Sequence, residues 1–189
     1  VAENPPSKPN LIYKMKVTKK TLQRLIKEEL KKTLLREYEE GAKVFRSPNP
    51  FTGFRDTSQT GDPDMKPKGL WYSCGSEWDD FCQMGMPEWI DGAPYVYKLQ
   101  INPSNMLLIR TGEELMAFHE KYEKNFYGMS FIDWAAVAQQ YDGIEICPYQ
   151  MEYRYDLLWY HGWDVASGCI WRAGAFLSAE QIEDPCRSA

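Results

Sequence analysis

Histidine is the scarcest of the versatile catalytic residues here: His119 and His161 are the only two in 189 residues. The five cysteines, Cys74, Cys82, Cys147, Cys169 and Cys186, form no Cys-x-x-Cys pair. Ligand spacings for a zinc site are therefore missing, and no metal is expected. An odd number of scattered thiols also argues against a disulfide framework and for a reducing, cytosol-like compartment. No stretch of about 18 apolar residues occurs, so no membrane-spanning helix is expected. The first ten residues are polar and proline-rich, without the apolar core of a signal peptide. Clustered positive charge is lacking too. The formal net charge is −5, which disfavours nonspecific binding along a nucleic-acid backbone. Absent as well are Gly-x-Gly-x-x-Gly, a P-loop and a Gly-x-Ser-x-Gly elbow, which removes several common enzyme classes.

Aromatic side chains are abundant by contrast, with 7 Trp and 12 Tyr. Such residues combine large apolar area with one polar atom. They build either an aromatic core or a pocket that stacks a flat ligand. The length suits one domain able to bury a core without staples. Residues 1–17 read as an extended arm. Residues 18–189 read as a single α+β domain that begins with an amphipathic helix over 18–40. In that helix Leu22, Leu25, Ile26, Leu30, Leu34 and Tyr38 recur at helical spacing. Thr18 or Thr21 can cap its start, and Gly41 can end it.

Further on, strands are expected at 42–47, 69–73, 94–101, 106–109, 144–147 and 165–171. Helices are expected from Ser76, over 112–125 and over 132–140, with a terminal helix or turn at 177–182. The loop between Pro48 and Pro67 is long enough to be functional or mobile. Many short strands with few βαβ units fit a mixed or antiparallel α+β fold rather than a doubly wound sheet.

The segment from Lys66 to Cys82 carries the strongest functional signal. Lys68-Gly-Leu-Trp-Tyr-Ser73, followed by a helix opening Ser76-Glu-Trp-Asp-Asp-Phe-Cys82, resembles the second motif of ADP-ribosyltransferases. The resemblance implies a split β-sheet fold that binds NAD as a substrate. It implies an aromatic platform for nicotinamide at Trp71 or Tyr72, with Gly69 and Ser73 beside it. It also implies an earlier strand whose Arg46, with Ser47 adjoining, holds NAD. A late strand, Trp163 to Trp171, corresponds to the family's strand bearing the acid. The family's Glu is expected near Ser167, where this chain has none. The nearest acids are Asp164 and, on the preceding strand, Glu145, with His161 available to assist an acceptor. An acid is wanted because ribosyl transfer passes through an oxocarbenium-like centre that a carboxylate stabilises. The acceptor would be a protein or a nucleic acid. Met15 to Leu30 resembles a leader segment of phage-encoded proteins, which implies a start near Met15 and a host-cytoplasmic setting.

Other chemistries fit the same residues. A glycosidase-like hydrolase would use two carboxylates, Glu145 with Asp164 or Glu152. A binding module would use the aromatic pocket without turnover, and a phage accessory domain would use the arm and helix for docking. A cysteine nucleophile paired with His161 lacks a local signature.

Overall fold

The computed structural model describes residues 18–26, 41–184 and 186. The expected arm and most of the expected first helix lie outside them. Residues 19–26 are helical (α1). Thr18 Oγ1 accepts a hydrogen bond from the Thr21 backbone N–H at 3.2 Å, the capping role its side chain suits. Among the described residues, no helix is long and apolar enough to cross a membrane.

The fold is mixed α+β. Seven strands form the main sheet: β1 (Lys43–Ser47), β2 (Leu70–Cys74), β3 (Tyr95–Ile101), β4 (Met106–Ile109), β7 (Gly143–Ile146), β8 (Ser167–Ile170) and β9 (Phe176–Ile182). Their spatial order is β4-β7-β8-β2-β1-β3-β9. Only β4 and β7 run parallel; the other neighbours are antiparallel. A two-stranded hairpin, β5 (Glu123–Phe126) with β6 (Met129–Ile132), stands apart. The helices α2 (Glu77–Gly85), α3 (Pro87–Gly92), α4 (Gly112–Tyr122) and α5 (Trp134–Val137) flank the sheet.

Alternation along the strands sorts side chains onto two faces. The register pairs Tyr72 with Gly168 and Gly168 with Glu145, so these three share one face. Val44 pairs with Ser73 and Ser73 with Ser167, which places them, with Trp71 and Arg46, on the other. The second face carries the larger core, in which Trp134, Trp159, Trp163 and Trp171 are all buried. Their rings meet mostly edge-on, as in Trp134–Trp159 and Trp159–Trp163, the arrangement that ring quadrupoles favour. The first face carries a smaller cluster around Leu70, Tyr97 and Ile170, with Phe45, Phe51 and Phe176 against it.

Most expected strands form near their expected positions, and three helical expectations change. The helix from Gly112 stops at Tyr122 rather than continuing to Asn125. Its start is fixed by a reciprocal capping box between Thr111 and Glu114. Residues 123–126 instead pair with 129–132 around Tyr127 and Gly128, both at positive φ, the backbone of a tight hairpin turn. Ile132 ends β6, and the helix expected over 132–140 shrinks to α5, capped by Asp133, whose Oδ1 accepts from the Ala136 N–H. Residues 176–182 are a strand, not a terminal helix. Phe176, Ala179 and Ile182 are half-buried three residues apart, which mimics helical spacing. The cause is an edge strand that contributes to both faces: Phe176 and Ala179 pack on the first cluster, and Ile182 against Val44 and Val96 on the second.

The loop 48–69 is pinned at several points. The Thr57 N–H donates to the Trp171 carbonyl at 2.8 Å, and the Trp134 indole donates to the Asp64 carbonyl at 3.0 Å. Gly69 then passes close to β8. A Cβ there would sit 2.2 Å from the Ile170 carbonyl oxygen, so the chain can enter β2 only with glycine at this point.

Candidate functional site

A cleft of about 250 Å³ opens on the second face, where β1, β2 and β8 run side by side. Trp71, Ser73, Trp78, Ser167, Lys66 and Asp164 contribute to its lining. Each arrives for a local reason. Trp71 and Ser73 are alternate residues of β2, so they share a face. The Trp71 ring packs edge-on against Trp163 with centroids 4.8 Å apart, and its indole N–H donates to the Pro67 carbonyl at 3.1 Å. These two contacts fix the ring plane. Trp78 lies in the first turn of α2. Ser76, just before it, makes no side-chain capping bond; its hydroxyl donates instead to Asp80 at 2.7 Å. The helix is tied to the sheet by Glu77, which accepts from the Ala166 N–H at 2.8 Å.

The charges in this cleft are loosely held. Asp164 lies 3.3 Å from the Arg154 guanidinium and 3.9 Å from the Lys66 ammonium. Lys66 Nζ also sits 5.2 Å from the Trp71 ring centroid. Burial lowers the Lys66 pKa below the usual lysine value, with Asp164 opposing the shift.

Arg46 is different. It lines the cleft. Its guanidinium, however, is already saturated. Nε and Nη2 donate to Asp79, Nη1 and Nη2 to Asp184, and Nη1 to the Ala93 carbonyl. Burial works against its charge, and the two carboxylates more than offset that, so its pKa is raised. A phosphate could claim Arg46 only by breaking buried ion pairs. Of the two cations lining the cleft, Lys66 is the less committed; it opens the segment singled out by sequence, just ahead of the motif proper, which begins at Lys68. Trp78 stands inside the quoted motif, but the resemblance gives it no role; the packing of the first turn of α2 brings it to the cleft.

Five other candidates hold their side chains outside the cleft. The Tyr72 ring is on the first face, its hydroxyl 2.9 Å from Glu145; of the two candidates for a platform, only Trp71 presents its ring to the cleft face. Glu145 is on that first face as well, so it and Asp164 do not face each other across one pocket. Ser47 shares the face of Phe45, and its hydroxyl accepts from the Asn49 N–H at 3.3 Å. His161 is exposed, with its ring 5.8 Å from that of Tyr155. Glu152, the alternative second carboxylate, is exposed.

Glu145 itself is held tightly. Its side chain is 3% exposed, and it accepts from Lys43 Nζ at 2.6 Å, Arg110 Nη1 at 2.7 Å and Tyr72 Oη at 2.9 Å. Burial would raise its pKa, but these donors outweigh that and hold it below the usual carboxylate value. Burial, with Glu145 alongside, pushes the Tyr72 phenol well above its ordinary value.

Compared with models of known protein families, with curated proteins and with solved structures, the chain matches none.

Proposed function

We propose that the cleft binds NAD through its nicotinamide-ribose end and that the domain is an ADP-ribosyltransferase-like protein acting on a protein or nucleic-acid acceptor. The observation that carries this is one shared cleft for Trp71, Ser73 and Asp164, residues drawn from the strand-helix motif and from the late strand that the resemblance singles out. The volume of about 250 Å³ falls below the range of about 300–1,000 Å³ for whole drug-sized ligands. It suits one ring with its sugar, leaving the adenosine half outside.

In this reading Trp71 stacks on nicotinamide. Ser73 and Ser167, whose hydroxyls donate to the Gly75 and Val165 carbonyls, accept from the ribose hydroxyls or the carboxamide N–H. Lys66, not Arg46, meets the pyrophosphate. The C1′–N bond breaks with its electron pair departing on nicotinamide, and the Asp164 carboxylate stabilises the cation left at C1′. The acceptor nucleophile then bonds to C1′ and gives up its proton. The hydrolase alternative loses support, because Glu145 and Asp164 occupy opposite faces.

Calorimetry with NAD tests the ligand, and chromatography of released nicotinamide tests the chemistry. The expected result is saturable binding that Trp71→Ala abolishes in a folded chain, and nicotinamide release that Asp164→Asn slows at least about a hundredfold. No heat with NAD sinks the proposal. Binding without nicotinamide release, across a range of acceptors, leaves a binding module.

A further inference from the structure

The first face holds a cluster that the cleft does not use. Cys74 ends β2, and Cys147 directly follows β7. Continuing the registers of β2–β8 and β7–β8 by one residue sets both opposite Ala166, and the Cys74 N–H donates to the Ala166 carbonyl at 2.9 Å. The two thiols therefore reach toward each other across a buried alanine whose small side chain leaves them room. One ligand atom from each of Cys74, Cys147 and Glu145 lies within 4.8 Å of the others. On the outer sides stand Lys43, paired in register with Cys74, and Arg110, which donates to the Cys147 carbonyl at 2.8 Å.

The geometry points to a binding site for one thiophilic divalent cation of the zinc class, held by Cys74 Sγ, Cys147 Sγ and Glu145. Three features separate this from a disulfide or a plain ion-pair cluster. First, Cys74 and Cys147 come from strands separated by β8. Two strand spacings put their Cα atoms about 9–10 Å apart, whereas a disulfide needs about 4.4–6.8 Å. A metal ion spans the gap, because each metal–sulfur bond adds about 2.3 Å. Second, Glu145 has a site to give. Lys43 and Tyr72 both address Oε2, while among the described residues Oε1 accepts only from Arg110, which leaves one lone pair on Oε1. The same three donors fix the carboxylate's orientation, as outer-sphere partners of metal ligands do. Third, the charge is conserved. With neutral thiols, Glu145, Lys43 and Arg110 sum to one positive charge. Exchanging two thiol protons for one dication leaves that sum unchanged.

Three protein ligands leave one tetrahedral position open. A cavity of about 140 Å³ bounded by Lys43, Arg110, Met106 and Leu108 opens onto Glu145. Cys147 is itself only half-buried. No metal-ligand spacing announces such a site, since its donors come from two separated stretches, Cys74 and Glu145-Ile-Cys147, that the sheet registers bring together.

The test uses the full chain, reduced and stripped of metal, titrated with Cd²⁺ while the ultraviolet thiolate-to-metal charge-transfer band is followed, with Zn²⁺ as competitor. One Cd²⁺ per chain is expected, with the intensity of two thiolates and displacement by Zn²⁺. Cys74→Ser and Cys147→Ser each should weaken binding at least about tenfold and halve the intensity. Glu145→Gln should weaken binding about tenfold at undiminished intensity. Circular dichroism checks each fold, and the half-buried Cys147→Ala supplies a second variant at the more tolerant position. NAD binding in Cys147→Ser should match the parent, so this site and the cleft stand or fall separately. No band in the parent chain overturns the proposal, as does a band unchanged in Cys147→Ser. A Cys74–Cys147 disulfide in the aerobically purified chain, with no metal affinity after reduction, overturns it in favour of a redox pair.

Discussion

The two faces of the sheet use the same strands but hold their charges in opposite ways. On the thiol face, Glu145 is enclosed by three donors at 2.6–2.9 Å and is 3% exposed. On the cleft face, Asp164 is 30% exposed, with cations at 3.3 and 3.9 Å. Loosely paired charges keep several lone pairs and donors for a ligand; tightly held ones keep few, a single lone pair on Oε1 for Glu145 and no N–H for Arg46. By that measure Asp164 and Lys66 are available groups, while Arg46 serves as structure despite lining the same cleft. Position in a motif locates a residue. The partners already bound to it decide what it can still do.

The largest expected effect separates structure from binding within the cleft. Arg46→Ala should cost about 3–5 kcal/mol in urea-monitored stability, because Asp79 and Asp184 lose their buried partner. If stability holds and only NAD affinity falls, Arg46 is a ligand residue rather than a structural one. Next comes Gly168→Ala. Its Cβ would meet the Tyr72 ring at 2.3 Å, so a loss of about 1–3 kcal/mol is expected from overpacking. NAD affinity should change far less, since that ring lies on the other face. A thermal melt and calorimetry on one sample decide it.

Tyr72→Phe should be milder. It removes a hydrogen bond to a charged acceptor, worth about 1.5 kcal/mol, and should leave cleft binding intact. A large drop in NAD affinity would restore Tyr72 to the role the resemblance offered it. The smallest effect on stability belongs to Lys66→Ala, within about 0.5 kcal/mol, because its side chain is 41% exposed and its ion pair with Asp164 is long, at 3.9 Å. It should nonetheless weaken NAD binding about tenfold and flatten its salt dependence. Unchanged affinity would move the pyrophosphate elsewhere.

The sequence made the strands legible because their hydrophobic alternation is strong, as in Tyr95 to Ile101. It misled where two patterns coincide. Residues 176–182 show a three-residue rhythm because the edge strand serves both faces, and local periodicity cannot tell that from a helix. Residues 123–132 look like helix ends flanking a gap, yet positive φ at Tyr127 and Gly128 makes them a hairpin. Within the site, the motif pointed to Trp71 and Ser73 directly. It could not choose between Trp71 and Tyr72, since that depends on which face of β2 turns inward. It could not foresee that Asp79 and Asp184 consume Arg46, because the second partner lies 138 residues away. The Cys74–Glu145–Cys147 cluster was invisible for the same reason: only strand register assembles it.

β2 faces both ways, and this constrains how the protein can vary. Trp71 and Ser73 point to one side, Tyr72 and Cys74 to the other. Inserting or deleting a single residue upstream within this strand would turn every one of these side chains to the wrong side, emptying the cleft and the thiol cluster together. Point substitutions can tune either site alone, but a change of length in β2 cannot. Drift in length is therefore confined to the loops, and a homologue that keeps one site through an altered β2 must have kept the spacing of the other.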